Sequence, residues 1–303
     1  MLSFKKLIKL ILTKFIFFFG FLLFKLKILN FFIKNLSIKK QELIENINQS
    51  IYLENIINKR LICLDIGSKG GIQEELRKYN RFLKFICVEP DDFKNNKNKN
   101  LIKKALWNKE AKKEFYITKN PFGSSLYKPD LKNFRYYYND NKYISLYKIK
   151  KKRKIDCSTI EKELIKLKIK DFDYLKIDTQ GSEFNILRGL GKFKPLLINI
   201  ELQSISLYKG APNWIKVMKK LDDLGYSCLE IRPVGSHETH LPIIHEAIFI
   251  IDYKFRNNLN VIEKRLRQFV GLLIIFNQIK YLKIIKEDLD ITFNLPDKDP
   301  FFF

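Results

Sequence analysis

Short apolar runs recur along residues 61–252, and four of them stop at an acid. Residues 61–64 (LICL) stop at Asp65, 85–88 (FICV) at Glu89, 172–177 at Asp178 and 196–200 at Glu201. Unbroken apolar runs such as 61–64 and 85–88 are the pattern of strands buried on both faces, and 172–177 and 196–200 read as strands with a few polar positions. Residues 101–106, 114–118, 226–231 and 245–252 read as further strands, with 114–118 alternating like an edge. Between them lie segments with helical character: 72–79, 158–168 with Ser158 or Thr159 as cap, 182–190 and 213–224. Strands alternating with helices predict an α/β, Rossmann-like fold, a mostly parallel central sheet with helices on both faces. Residues 258–286 read as basic amphipathic helix, giving a C-terminal helical tail over 253–303.

The first 60 residues break this rhythm. Residues 1–36 are apolar and basic, with an uninterrupted apolar run only from Phe15 to Phe24, about half a membrane span. Lys9, Lys14, Lys25 and Lys27 flank it, so the segment is expected to lie on an anionic membrane face or to pack as a helix. That reading places the protein in the cytoplasm, peripherally attached to the inner face of the cell membrane. Residues 37–60 read as a polar helical linker, leaving 61–252 as the central domain.

Composition adds a net charge of +24, from 57 Lys+Arg against 33 Asp+Glu, which favours anionic partners. The lysines are spread along the chain, however, so most read as solvated surface. The four cysteines show no paired metal spacing, and Cys63, Cys87 and Cys228 sit in apolar runs as expected core thiols. His237, His240 and His245 fall in one short stretch without a second ligand cluster. No metal site is expected there, and one His could serve substrate.

Candidate chemistry concentrates at the strand ends. In an open α/β sheet the carboxyl edge binds ligands, and Asp65, Glu89, Asp178 and Glu201 all belong to it. Each acid alone could merely cap the following helix. The turn after the first strand, Asp65-Ile66-Gly67-Ser68-Lys69-Gly70-Gly71, lacks the glycine spacing of a dinucleotide fingerprint. It fits instead the Asp-x-Gly-x-x-x-Gly form of S-adenosylmethionine sites. No Walker A loop and no Asn-Pro-Pro-Tyr motif follows, which argues against a nucleic-acid base methyltransferase and against nucleic acid as partner.

With these residues in hand, the blocks LDIGSKGGI, FICVEPD, KKALWNKEAKKEFYI followed by FGSSL, DYLKIDTQGSEFNILRGL and LLINIEL resemble the FkbM-family methyltransferases over residues 61–251. The resemblance implies a class I S-adenosylmethionine-dependent enzyme that O-methylates hydroxyls of sugars, glycans or other metabolites. By the same resemblance Asp65, Gly67 and Gly71 line the methionine part of the cofactor, Glu89 holds its ribose and Leu106 lies beside its adenine. Ser124 and Ser125 match a segment without an assigned role. Asp178 lies near the transferring methyl, and Gln180 stands where many members carry Glu. Asp178 is the expected base or orienter, with Glu201 supporting it or binding acceptor hydroxyls. Two other readings remain open from the sequence: a catalytically inactive membrane-surface module on the same fold, and an NAD(P)-dependent oxidoreductase, against which the glycine spacing speaks.

Overall fold

The structure, a computed structural model, describes residues 50–91, 101–138, 140–234 and 242–289. It divides into two compact units, Met1–Asn55 with Thr292–Phe303, and Ile56–Ile291. In the first unit only residues 50–55 are described, and they are helical. The amphipathic segment expected over 1–36 lies outside the described residues. Among the described residues no helix is long and apolar enough to cross a membrane.

The second unit is built on a seven-stranded sheet in the order β3-β2-β1-β7-β8-β10-β9. Its strands are β1 (Leu61–Ile66), β2 (Leu83–Val88), β3 (Leu101–Ile102), β7 (Tyr174–Ile177), β8 (Leu197–Gln203), β9 (Tyr226–Pro233) and β10 (Ile244–Ile251). The first five neighbours pair in parallel, and β10 runs antiparallel between β8 and β9. The mostly parallel α/β sheet expected from the runs is therefore present. Leu64, Ile66, Leu175, Ile177, Ile198 and Ile200 are all at most 1% exposed. Each such side chain contributes about 1.5–3 kcal/mol through burial.

Several boundaries differ from expectation for local reasons. Asp65 and Glu201 do not end their strands. Pairing carries β1 on to Ile66 opposite Val88, and β10 holds β8 out to Gln203. The segment 101–106 is two strands in two sheets: β3 joins the main sheet, and β4 (Ala105–Leu106) joins a small one. Lys104 turns the chain between them and pairs with Glu163 at 3.1 Å. The small sheet, β4-β6-β5, adds β5 (Ala111–Thr118) as the predicted edge, antiparallel to β6 (Ile149–Ser158). Helix caps follow the sequence signals, with Thr159 accepting from Lys162 N–H and Asn213 from Lys216 N–H.

The tail is the largest departure. Residues 258–286 form not one amphipathic helix but three, Asn258–Lys264, Leu266–Ile275 and Ile279–Asp288. The middle one is buried on nearly all sides. It belongs to the core of its unit: Phe276, its C-cap, packs against Tyr174 of β7 with ring centroids 4.9 Å apart. Cys228 is also not a core thiol. It is exposed on the edge strand β9, whereas Cys63, Cys87 and Cys157 are buried.

Candidate active site

A cavity of about 270 Å³ opens at the carboxyl edge of β1, β2, β7 and β8. Its wall brings together Gly67, Glu89, Leu106, Asp178 and Glu201, five residues that are far apart in sequence. Phe115 and Phe122 add apolar surface, and Leu106 and Phe115 come from the small sheet, which thereby covers the site. Asp65 and Gly71 are not in this wall. Asp65 is buried at 1% exposure beneath it, and Gly71 (φ 80°) closes a turn by donating its N–H to Ser68 O at 2.8 Å.

Gly67 has φ 82°, and a β-carbon on it would overlap the Asp178 carbonyl oxygen. This glycine is therefore required by contact between two loops as well as by the turn. Asp178 N–H donates to Ile66 O at 3.0 Å, so the β1 and β7 loops are tied at the same level.

Glu89 is 4% exposed and accepts from Asp91 N–H at 3.1 Å. Burial pushes its carboxyl up to about 7, against the pull of the Asp91 N–H and the Lys69 ammonium. Asp91 in turn is held by Lys69 at 2.8 Å and Arg153 at 2.9 Å. The β2 loop is thus pinned by two cations from different elements.

The loop after β7 is organised by Glu183, a residue the sequence offered only as part of a helix. Its buried carboxylate accepts from Thr179 N–H (3.0 Å), Thr179 Oγ1 (2.9 Å) and Gly181 N–H (3.1 Å). That bonding sustains two unusual backbone angles, φ 60° at Gln180 and φ 109° at Gly181. Ser125 Oγ donates to Gln180 O at 2.8 Å, which gives the Ser-Ser segment a role as tether. Ser124 lines the cavity.

At the centre, the Gln180 side-chain amide donates to Asp178 Oδ1 and to Glu201 Oε1, each at 3.0 Å. Its own oxygen lies 3.1 Å from the Tyr208 hydroxyl, which donates to it or to Gly123 O. The amide therefore holds two carboxyl groups together that would repel if both were ionised. Burial, then the Asp178 and Glu183 carboxylates, push the Glu201 carboxyl well above its ordinary range. Lys176 lies 3.6 Å from both Asp178 Oδ2 and Asp65 Oδ1. Burial works against its charge, but Asp178 and Asp65 outweigh that and keep it protonated. Lys176 escaped the sequence reading, although its place two residues before Asp178 in a strand puts both on one side.

His245 lies in β10 and packs on Trp214 with ring centroids 5.1 Å apart, away from this cavity. His237 and His240 lie outside the described residues. Among the described residues no group of three or more His, Cys, Asp or Glu is placed to hold a metal.

A family model for the methyltransferase FkbM domain matches residues 69–228, more than half of the chain. The chain belongs to the FkbM methyltransferase family. Among curated proteins none matches it. The match to this methyltransferase family runs from Lys69, just after Gly67, to Cys228 near the start of β9. It thus includes Glu89, Leu106, Asp178, Gln180, Glu183 and Glu201.

Proposed function

We propose that this methyltransferase uses S-adenosylmethionine to O-methylate a hydroxyl of a sugar, a glycan or another small metabolite. The observation that supports it is one cavity in which Glu89 and the Asp178–Glu201 pair face the same space. A nucleoside fits the chemistry of the wall. Glu89 can accept from a ribose diol, and Leu106, Phe115 and Phe122 offer apolar surface to a purine. In this reading Gly67, in the cavity wall against Asp178, is placed toward the methionine end, and Asp65 acts behind it through Lys176.

S-adenosylmethionine supplies an electrophilic methyl on a cationic sulfur. The chain supplies alignment, which contributes much of the rate for an in-line displacement, and a place for the hydroxyl proton. Asp178 Oδ1 accepts from Gln180, so Oδ2, beside Lys176, would take the hydroxyl proton while the methyl exchanges its bond to sulfur for one to the acceptor oxygen and the neutral thioether, S-adenosylhomocysteine, leaves. Glu201, tied to Asp178 through the Gln180 amide, faces the same space and is placed to orient the acceptor hydroxyl.

Calorimetric titration with S-adenosylhomocysteine tests the reading. Binding by the native protein, together with Asp178→Ala that keeps that affinity within about threefold but transfers no methyl, supports it. Binding of NAD in place of S-adenosylhomocysteine, or full transfer by the variant, overturns it. The charge and apolar run of residues 1–36 support a second element of the proposal, peripheral attachment to an anionic membrane face. Salt-sensitive sedimentation of the full chain with phosphatidylglycerol vesicles, and not with phosphatidylcholine alone, is the expected result.

A further inference from the structure

Residues 141–155 (NKYISLYKIKKKRKI) hold a run of basic side chains and no acid. Asp140, just before them, accepts from Lys142 N–H at 2.7 Å and caps the short helix Asn141–Ser145. Arg153 is committed to the fold, donating to Pro90 O and Asp91 Oδ1, each at 2.9 Å. Lys142, Lys148, Lys150 and Lys151 are exposed and make no ion pair among the described residues. The start of this run borders the large cavity. Lys119 N–H donates to Lys148 O at 3.0 Å and Asn120 N–H to Leu146 O at 2.7 Å, so residues 146–148 lie beside the turn Pro121–Gly123. Phe122 of that turn lines the cavity and is nevertheless 60% exposed.

The same face shows apolar side chains that the fold does not bury. Tyr143 is 52% exposed and Leu146 39%. They are three residues apart at the end of one helical turn, so they point the same way. The layer beneath them is well packed. The Tyr147 ring stacks on buried Phe134 with centroids 4.0 Å apart, and its hydroxyl meets that of Tyr138 at 2.9 Å. Gly123 fits against Tyr147 so closely that a β-carbon there would overlap the ring. Phe122, Tyr143 and Leu146 are therefore held outward by ordered neighbours, among lysines that lack counter-ions.

We propose that this face docks on an anionic phospholipid surface, with Phe122, Tyr143 and Leu146 at headgroup depth and Lys119, Lys142 and Lys148 against the phosphates. Aromatic side chains favour that depth, and lysine stems can lie along apolar surface while the ammonium reaches the headgroups. Each such lysine raises affinity for an anionic bilayer about fivefold. A second copy of the chain would bring like charge against like. A nucleic acid would need ring faces for its bases, but Leu146 has none and Tyr138 already stacks on Tyr143 with centroids 5.6 Å apart. The face belongs to the unit Ile56–Ile291 and is separate in the chain from residues 1–36. Phe122 is part of both the face and the cavity wall, so docking sets the cavity mouth at headgroup level. The acceptor hydroxyl is then one carried at the membrane surface; that last step rests on the methyl-transfer reading, and the docking itself does not.

Hydrogen exchange of the full chain, read by mass spectrometry in the presence of vesicles, tests the docking face. Amides of residues 119–123 and 142–148 are expected to slow with phosphatidylglycerol vesicles and to be unchanged with phosphatidylcholine alone. Lys142→Gln combined with Lys148→Gln should weaken sedimentation with phosphatidylglycerol vesicles about thirtyfold. The same loss of charge by Lys216→Gln with Lys219→Gln, exposed on the helix Trp214–Asp223, should cost about twofold or less. Vesicle binding without slowing at 119–123 and 142–148, equal weakening by the two lysine pairs, or no binding to the vesicles overturns the proposal. Slowing of these amides by polyuridine RNA and not by vesicles assigns the face to nucleic acid and overturns it too. Calorimetry with S-adenosylhomocysteine in vesicle-free buffer judges the donor reading separately.

Discussion

Gly67 lies against the backbone of Asp178 so closely that a β-carbon on it would overlap the Asp178 carbonyl oxygen. The loop expected to hold the methyl donor and the loop expected to do the chemistry are therefore in direct contact, with no side chain between them. Gly67→Ala would meet that overlap and an unfavourable positive φ together. Strain of this kind costs about 1–3 kcal/mol. The urea midpoint should drop, and S-adenosylhomocysteine binding should weaken more than for Gly71→Ala, where a β-carbon meets nothing.

Gln180→Glu replaces the two N–H donors between Asp178 and Glu201 with a third carboxyl group. Losing a hydrogen bond and leaving a buried acceptor such as the Glu201 carboxyl unsatisfied costs about 1–3 kcal/mol. Repulsion should raise the new carboxyl's pKa in the folded protein above its unfolded value. A group raised in this way stabilises most at low pH and loses its contribution as pH rises. The variant should lie nearer to the native protein in acid than in alkali. Urea unfolding on both sides of neutrality checks this, and a constant difference would argue against the bridge.

Glu89 gives a pH dependence of its own. Its carboxyl rises from 4.5 to about 7 on folding, through burial. The folded state therefore binds the proton more tightly than the unfolded chain. The associated stability is complete below 4.5 and is lost as pH rises toward 7, by about 3 kcal/mol. Donor binding should run the opposite way, since the ionised carboxylate is the better acceptor for a ribose diol. S-adenosylhomocysteine affinity is expected to climb about tenfold through neutrality in the native protein and to stay flat in Glu89→Gln.

Arg265 joins the C-terminal helices to the sheet. It is 8% exposed, donates to Phe172 O at 2.7 Å and to Lys194 O, and lies 3.6 Å from Asp173. Asp173 accepts from Ile62 N–H at 2.8 Å, so the chain of contacts reaches β1. Arg265→Leu leaves Asp173 without its cation and should cost about 3–5 kcal/mol. A chain stopped after residue 252 should show no cooperative unfolding transition, whereas a true appendage could be removed with the transition intact.

Much of the fold and part of the site were legible in the chain. The unbroken runs at 61–64 and 85–88, and the run 196–200 interrupted only by Asn199, marked the parallel strands because burial on both faces demands nearly continuous apolar sequence. The acids that follow them marked the carboxyl edge. Less legible were the strand ends. Glu201 looks terminal because it is charged, yet β10 pairs past it and keeps it inside β8. The helix Leu266–Ile275 was hidden among flanking lysines. Its own ten residues are apolar nearly all round, and a window that includes its neighbours averages this away.

By itself the sequence determined the alternating strands and helices, the glycine turn after β1 and the acids at the sheet edge. Those follow from local spacing, and local spacing is written in the chain. Only the tertiary structure decided which acids share a space and in what protonation state. It set Glu89, Asp178 and Glu201 around one cavity and placed Asp65 behind Lys176. It also turned Gln180 into a bridge between two carboxyl groups. Charge states and cavities depend on desolvation and on contacts between strands more than a hundred residues apart in the chain, as Asp65 and Lys176 are. No local pattern carries that information.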